Sequence, residues 1–144
     1  MHCQIGKIKA DEIAVVKNIL KEAMLPFEDI DQHTETFLTA KVGSEIVGAV
    51  GLEIWNDNGL LRSLVVKDNF RNYGFGNELY ARSIDLAKQN NLKQVVLLTT
   101  TAEQFFSKKG FTKVTGINIP SFVKETKEYT IYCPSSSAVM MKQI

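Results

Sequence analysis

The chain is poor in the residues that build metal and disulfide frameworks. Among its 144 residues there are two cysteines, Cys3 and Cys133, and two histidines, His2 and His33. No CxxC spacing exists, and the set is too small for a usual structural zinc site. Both cysteines read as free thiols, and no metal is expected. No apolar run approaches the length of a membrane span, and no basic segment followed by an apolar stretch opens the chain, so a cytoplasmic protein is expected. An excess of charge of one sign is missing as well. The 17 basic and 16 acidic residues leave a net charge of +1, which supplies no field to draw in nucleic acid or an anionic membrane. Two nucleotide signatures are absent: no Gly-Lys-Ser/Thr triplet for a Walker loop exists, and Leu79 stands where a dinucleotide fingerprint needs its third small residue.

What is present is an ordinary globular composition, 44% hydrophobic and 23% charged, in a length that suits one domain over residues 1–144. A strand is expected over residues 4–8. A helix then follows, capped by Asp11, with apolar positions at Ile13, Val16, Leu20, Ala23 and Met24, ending at Leu25-Pro26. The acidic segment 27–32 is either a solvated connection or a lid that brings Phe27 to a substrate. Extended chain is expected over 36–42 and 46–54 around a Gly43-Ser44 turn, and again over 60–66. The helix after residue 76 gathers Gly76, Leu79, Tyr80, Ser83, Ile84 and Ala87 on one face. Residues 95–98 read as a strand buried on both faces, parallel to 60–66 because a strand, a crossover helix and a strand follow in order. A short helix over 102–109 is stopped by Gly110, and strands are expected from 111–114, 129–133 and 138–142.

The informative stretch runs from Leu60-Leu61-Arg62-Ser63-Leu64-Val65-Val66 through Arg71-Asn72-Tyr73-Gly74-Phe75-Gly76 into Asn77 and a helix. Glycine lets the backbone turn sharply and approach a ligand closely. The first turn of the helix offers unpaired N–H groups and the positive end of the helix dipole. Arg71 adds a planar cation suited to phosphate oxygens. The segment is thus either a tight strand-to-helix turn or a cradle for an anion such as phosphate.

Arg71-x-x-Gly74-x-Gly76 after a strand, an amphipathic helix, a buried strand, and Ala102-Glu103-Gln104-Phe105-Phe106 leading to Gly110-Phe111 together resemble the GNAT acyl-coenzyme A transferases. More narrowly, residues 60–66, 98–103 and Phe105-Phe106, with Cys133-Pro134, resemble the arsenic-resistance N-acetyltransferases. The resemblance implies an α/β fold with a central twisted mixed sheet of about six or seven strands flanked by helices. It implies acetyl-CoA between two splayed strands, held by Leu64, Val65, Val66, Arg71, Asn72, Tyr73, Gly74, Phe75, Gly76, Asn77, Thr99 and Phe106. The Val65 N–H is the implied oxyanion donor, a role that commonly contributes ~3 kcal/mol. The reaction would be direct attack of a small amine, amino-acid-like or arsenic-containing, on the thioester.

Glu53 is the best-placed proton acceptor, with Glu103 as its rival; the competing readings are a solvent-facing strand residue for Glu53 and a helix-start charge for Glu103. Phe106 stands where the family carries a tyrosine acid, although a thiolate with an ordinary pKa of ~8.5 can leave with help from water. Arg62, flanked by leucine and valine, either pairs with a carboxylate or binds the acceptor's anionic group. A non-catalytic acetyl-CoA sensor is the alternative function, and a monomer or homodimer the expected state.

Overall fold

The computed structural model describes residues 1–132 and 137–144. Among them are β1 (Gln4–Lys7), α1 (Ile13–Glu22), β2 (Phe37–Val42), β3 (Glu45–Trp55), β4 (Asn58–Val66), α2 (Phe75–Gln89), β5 (Gln94–Thr99), α3 (Glu103–Lys108), β6 (Thr112–Val114) and β7 (Ala138–Gln143). The strands form one mixed sheet in the order β1-β2-β3-β4-β5-β7-β6. β4 and β5 are parallel, as expected of a strand-helix-strand unit, and the other neighbours are antiparallel.

Alternation along the strands separates two faces. Leu38 and Ala40 of β2, Leu61 of β4, and Val95 and Leu97 of β5 pack with Phe75, Leu79, Tyr80, Ile84 and Ala87 of α2. The opposite face receives Val16, Ile19 and Leu20 of α1 against Phe37 and Val65. Further along that face, Leu60 and Val96 pack on Phe122 and Val123. Burying each such aliphatic or aromatic side chain stabilises by ~1.5–3 kcal/mol, so both faces hold the sheet in place.

Two local expectations are corrected. Asp11 does not cap α1; residues Ala10–Glu12 form a 3-10 turn, and a Glu12 carboxylate oxygen accepts from the Lys9 N–H at 2.9 Å. The strand expected over 129–133 is a π-helical turn, Glu128–Tyr132, and Cys133 lies outside the described residues. Buried Thr126 winds this turn. Its hydroxyl accepts from the Tyr129 N–H at 3.3 Å, and its carbonyl accepts from the Thr130 N–H at 3.0 Å and the Thr130 hydroxyl at 2.9 Å. Side-chain bonds of this kind compete successfully with a sheet ladder.

Candidate active site

β4 and β5 are paired from Asn58↔Gln94 to Leu61↔Leu97 and then part. β4 continues to Val66, while Leu98 and Thr99 of β5 pair on their other side with Val139 and Ala138 of β7. The parting coincides with a bulge in β4. Pairing with β3 jumps from Ala49↔Val65 to Gly51↔Arg62, so Ser63 and Leu64 both stand opposite Val50. Ser63 takes a left-handed φ of 62°. A bulge bends the strand and reverses its side-chain alternation. Arg62 and Val65 consequently share the face turned away from α2.

The same register assigns the backbone donors. Lys67 donates its N–H to the Val47 carbonyl at 2.8 Å. N–H groups alternate sides along a strand, so Val65, paired with Ala49, also directs its N–H to β3. By the same alternation Leu64 and Val66 direct their N–H groups the other way, toward the gap, whereas Val65 was the oxyanion donor expected from the resemblance.

Below the gap, the chain turns through Asn72 (φ 70°) and Gly74 (φ 83°) into α2. A Cβ built on Gly74 would meet no atom within 4 Å and would project into open space. Beside this turn is a cavity of about 540 Å³ lined by Leu64, Val65, Val66, Arg71, Asn72, Gly74, Phe75, Gly76 and Asn77, with Phe70, Thr101, Ala102 and Phe105. Nine of the sequence-expected cofactor residues are thus brought together. Arg71 is steadied by its Nε–H bond to the Val66 carbonyl at 3.3 Å and an ion pair with Asp68 at 3.3 Å. Tyr73 is not on this wall; it is half exposed and stacks on Phe75 at 5.8 Å. Amides at a helix start, a cation and the glycine clearance suit the pyrophosphate of coenzyme A.

A second cavity, about 240 Å³, runs between the parted strands past Leu64–Val66 and Leu97–Thr99 to Phe106. It holds the remaining expected cofactor residues, Thr99 and Phe106. The Thr99 hydroxyl also accepts the Ala102 N–H at 2.9 Å, fixing the entry to α3. Phe106 is packed edge-on against Phe105 and Phe111 at 5.0 and 5.6 Å, an aromatic wall beside the gap. The nearby Tyr80 hydroxyl is buried with no hydrogen-bond partner among the described residues, and burial raises its pKa. It lines neither cavity, so it does not replace the missing tyrosine at 106.

Deeper still, a third cavity of about 150 Å³ shares Arg62, Ser63, Leu98 and Thr99 with the second and adds Met24, Pro26, Thr100 and Glu128. Arg62 is 4% exposed and grips Asp29 with both Nη atoms, at 2.8 and 2.7 Å. Its Nη1 also donates to Glu53 at 3.0 Å, and its Nε lies 3.3 Å from Glu128 and 3.2 Å from the Ser63 hydroxyl. Trp55 Nε1–H donates to the other Glu53 oxygen at 3.1 Å. His33 Nε2 stands 3.4 Å from Asp29 and 3.8 Å from Glu53. Burial alone would raise the Asp29 pKa, but hydrogen bonds from His33 and Arg62 hold it well below the usual carboxylate range. Burial would lower that of Arg62, and the Asp29 hydrogen bond and three carboxylate charges hold it above its ordinary value.

This network settles how several side chains are engaged. Of the two readings of Arg62, the carboxylate pairing is the one seen, so its fork is closed to an acceptor's anionic group. Glu53 is buried and ion-paired, not a solvent-facing strand residue. Glu103 pairs with Lys113 at 3.4 Å on the surface, as a helix-start charge does. Phe27 packs against the cluster that contains Leu20, Ile30 and Phe37 and lines none of the three cavities. The segment carrying it is no solvated connection, because Asp29 and Ile30 are buried. Asp29, His33 and Glu128 were not singled out in the sequence; they come from separate segments, and no local pattern marks them. Asp29, His33 and Glu53 could in principle share a metal, but the oxygens nearest His33 are the ones that Arg62 Nη1 already occupies, so a cation would face a guanidinium. Cys3, beside Glu78 at 3.4 Å, has its thiol pushed up to about 11 by burial and that carboxylate, and stays protonated.

The profile of the Acetyltransferase (GNAT) domain matches residues 5–120, and the chain belongs to the GNAT acetyltransferase family. An amino-acid acetyltransferase of Mycobacterium tuberculosis is 28% identical over 123 residues, which cover 83% of this chain and 66% of the relative, just under two thirds of its length. Two solved structures share the fold. Rv2747 of Mycobacterium tuberculosis, in complex with CoA and NLQ, superposes with a TM-score of 0.83 at 18% identity, over 98% of this chain and 99% of that one. N-acetylglutamate synthase of Neisseria gonorrhoeae, with coenzyme A and N-acetyl-glutamate, gives 0.85 at 18% identity, over 99% of this chain and 35% of that one. No helix among the described residues is long and apolar enough to cross a membrane.

Proposed function

We propose that this protein transfers the acetyl group of acetyl-CoA to a small amine, by direct attack with both substrates bound. The observation that carries the reading is the parting of β4 and β5 beyond Leu61 and Leu97, directly above the Gly74–Asn77 helix start. Bound acetyl-CoA supplies an activated acetyl thioester. The amides of residues 74–77 and Arg71 hold its phosphates, and the outward backbone of Leu64 and Val66 holds the pantetheine arm along β4. One of those two N–H groups polarises the thioester carbonyl, the role first assigned to Val65. Phe105 and Phe106 keep water from the reacting end. The acceptor enters from the Met24–Pro26 side, where the third cavity meets the second.

An amino-acid-like acceptor is supported by the name of the Mycobacterium relative and by the N-acetyl-glutamate in the Neisseria structure. An arsenic-containing one rests on the resemblance of residues 60–66 and 98–103. The test is thiol release from acetyl-CoA with L-amino acids, arsenic-containing amino acids and simple alkylamines as acceptors. Acetylation of at least one amine, with initial rates indicating a ternary complex, is expected. Cofactor binding with no thiol release for any amine would overturn the reading in favour of a non-catalytic acetyl-CoA-binding module.

A further inference from the structure

The end of α1 carries a residue that the fold itself does not call for. The Leu25 N–H donates to the Leu20 carbonyl at 2.9 Å and the Met24 N–H to the Lys21 carbonyl at 3.0 Å, the pair of bonds that closes a helix around one left-handed residue. Met24 is that residue, with φ 60°. Glycine usually stands there, because a Cβ strains the left-handed conformation. Met24 is also 92% exposed. A glycine would complete the same turn with less strain and without holding an apolar side chain in water.

The neighbouring residues pin this position. Leu25 packs back on the cluster that contains Ile19 and Leu20, and the pyrrolidine ring fixes the φ of Pro26. The backbone of Met24 is thus held from both sides while its side chain stands free. Met24, Leu25 and Pro26 all line the third cavity, and because Met24 is exposed it marks the mouth. The cavity holds about 150 Å³, below the ~300–1,000 Å³ of a site that encloses a small ligand. An acceptor whose nitrogen reaches the parted strands through it therefore keeps atoms at the mouth, beside Met24. An unbranched, polarizable thioether adapts to irregular apolar shapes, so a hydrocarbon group is the partner that this side chain suits.

We propose that Met24 selects the acceptor by covering an apolar group at the mouth of the third cavity, which makes the acceptor an amine with a hydrocarbon or aromatic tail. The inference rests on the acetyl-transfer reading above and deepens it by naming the substrate class. Binding removes from water both the tail and the methionine side chain that the free protein exposes. Leu25 and Pro26 act as positioning residues that keep Met24 at the mouth. Among amino-acid-like acceptors, those with apolar side chains are the ones favoured.

The test does not require turnover. n-Hexylamine and 5-amino-1-pentanol carry the same ammonium group on chains of equal length, and differ in ending on a methyl or a hydroxyl. Each is titrated by calorimetry into the protein saturated with coenzyme A. The wild type is expected to bind n-hexylamine at least about fivefold tighter than the amino alcohol. Met24→Gly and Met24→Ser should bring the two affinities within about twofold of each other, while Met24→Leu keeps the preference. Met24→Gly should unfold at no lower a urea midpoint than the wild type, because glycine relieves the left-handed strain. Its coenzyme A affinity should stay within about twofold of wild type. Equal wild-type affinities for the two probes, or binding of neither, overturn the proposal. A preference that survives in Met24→Gly overturns it as well. So does a joint fall in stability and coenzyme A affinity in that variant, which would reduce Met24 to a structural role. Absence of thiol release from acetyl-CoA with every amine would instead refute the acetyl-transfer reading, whatever the two probes show.

Discussion

Arg62 and Asp29, 33 positions apart in the chain, are joined by two parallel hydrogen bonds, Nη1–Oδ2 at 2.8 Å and Nη2–Oδ1 at 2.7 Å. The contact ties the segment after α1 to the bulged part of β4, where the strands part. It therefore fixes a wall of the two cavities that Arg62 lines as well as the fold.

Breaking one partner of a buried, hydrogen-bonded pair leaves the other charge uncompensated, which costs about 3–5 kcal/mol. Arg62→Met should lose at least that much in urea unfolding, because three carboxylates then face each other. Arg62→Lys should also lose stability, since an ammonium cannot reproduce the planar fork on Asp29. A loss below about 1 kcal/mol in Arg62→Met would show that water already screens the cluster.

The pair also sets an acid limit. Asp29 has a folded pKa held below its unfolded value of about 3.9, so its contribution is fully present above that value and is lost as pH falls through it toward the folded pKa. The stability advantage of wild type over Asp29→Asn should be constant from about pH 5 to 7 and shrink steadily between about pH 4 and 2. Denaturant unfolding at each pH measures it; an advantage that grew on acidification would contradict the assignment.

What was legible in the sequence was what is local. The α2 face of Leu79, Tyr80, Ser83, Ile84 and Ala87 follows from spacing alone, and those residues are buried. That Arg71, Gly74, Gly76 and Asn77 would line one cavity was legible because they lie within one short segment, residues 71–77. The Arg62 cluster was not, because its carboxylates come from three other segments. The 128–132 turn was misread because Tyr, Thr, Ile and Tyr favour strands, and local bonds from Tyr129 and Thr130 back to Thr126 stand against that preference. The direction of the β4 amides was not legible for a subtler reason: a bulge at Ser63 shifts their alternation, and Ser63 carries no sequence mark of a positive φ.

The cradle can be separated from the turn by one substitution. Gly74 is left-handed, a conformation that asparagine tolerates better than other side chains, and a side chain there points into open space. Gly74→Asn should therefore lose about 1 kcal/mol of stability or less. It should weaken acetyl-CoA binding by about tenfold or more, because the side chain fills the phosphate space. Unchanged affinity in a folded variant would reduce Gly74 to a turn residue.

The amide assignment on β4 calls for a change to the backbone rather than a side chain. Replacing a residue by its α-hydroxy acid turns the N–H into an ester oxygen and deletes one donor. At Val65 this removes a bond to β3, and the expected effect is a stability loss of about 1 kcal/mol with kcat nearly unchanged. At Leu64 or Val66 the stability should hold, because those N–H groups face the gap. At whichever of the two polarises the carbonyl, kcat should fall by about a hundredfold or more. The Val65→Ala side-chain change should leave kcat within about threefold, since its methyl groups pack on the α1 face and its amide is untouched. If the ester at Val65 proved the most damaging to kcat, the register-based reading of β4 would be wrong and the original placement of the oxyanion donor correct.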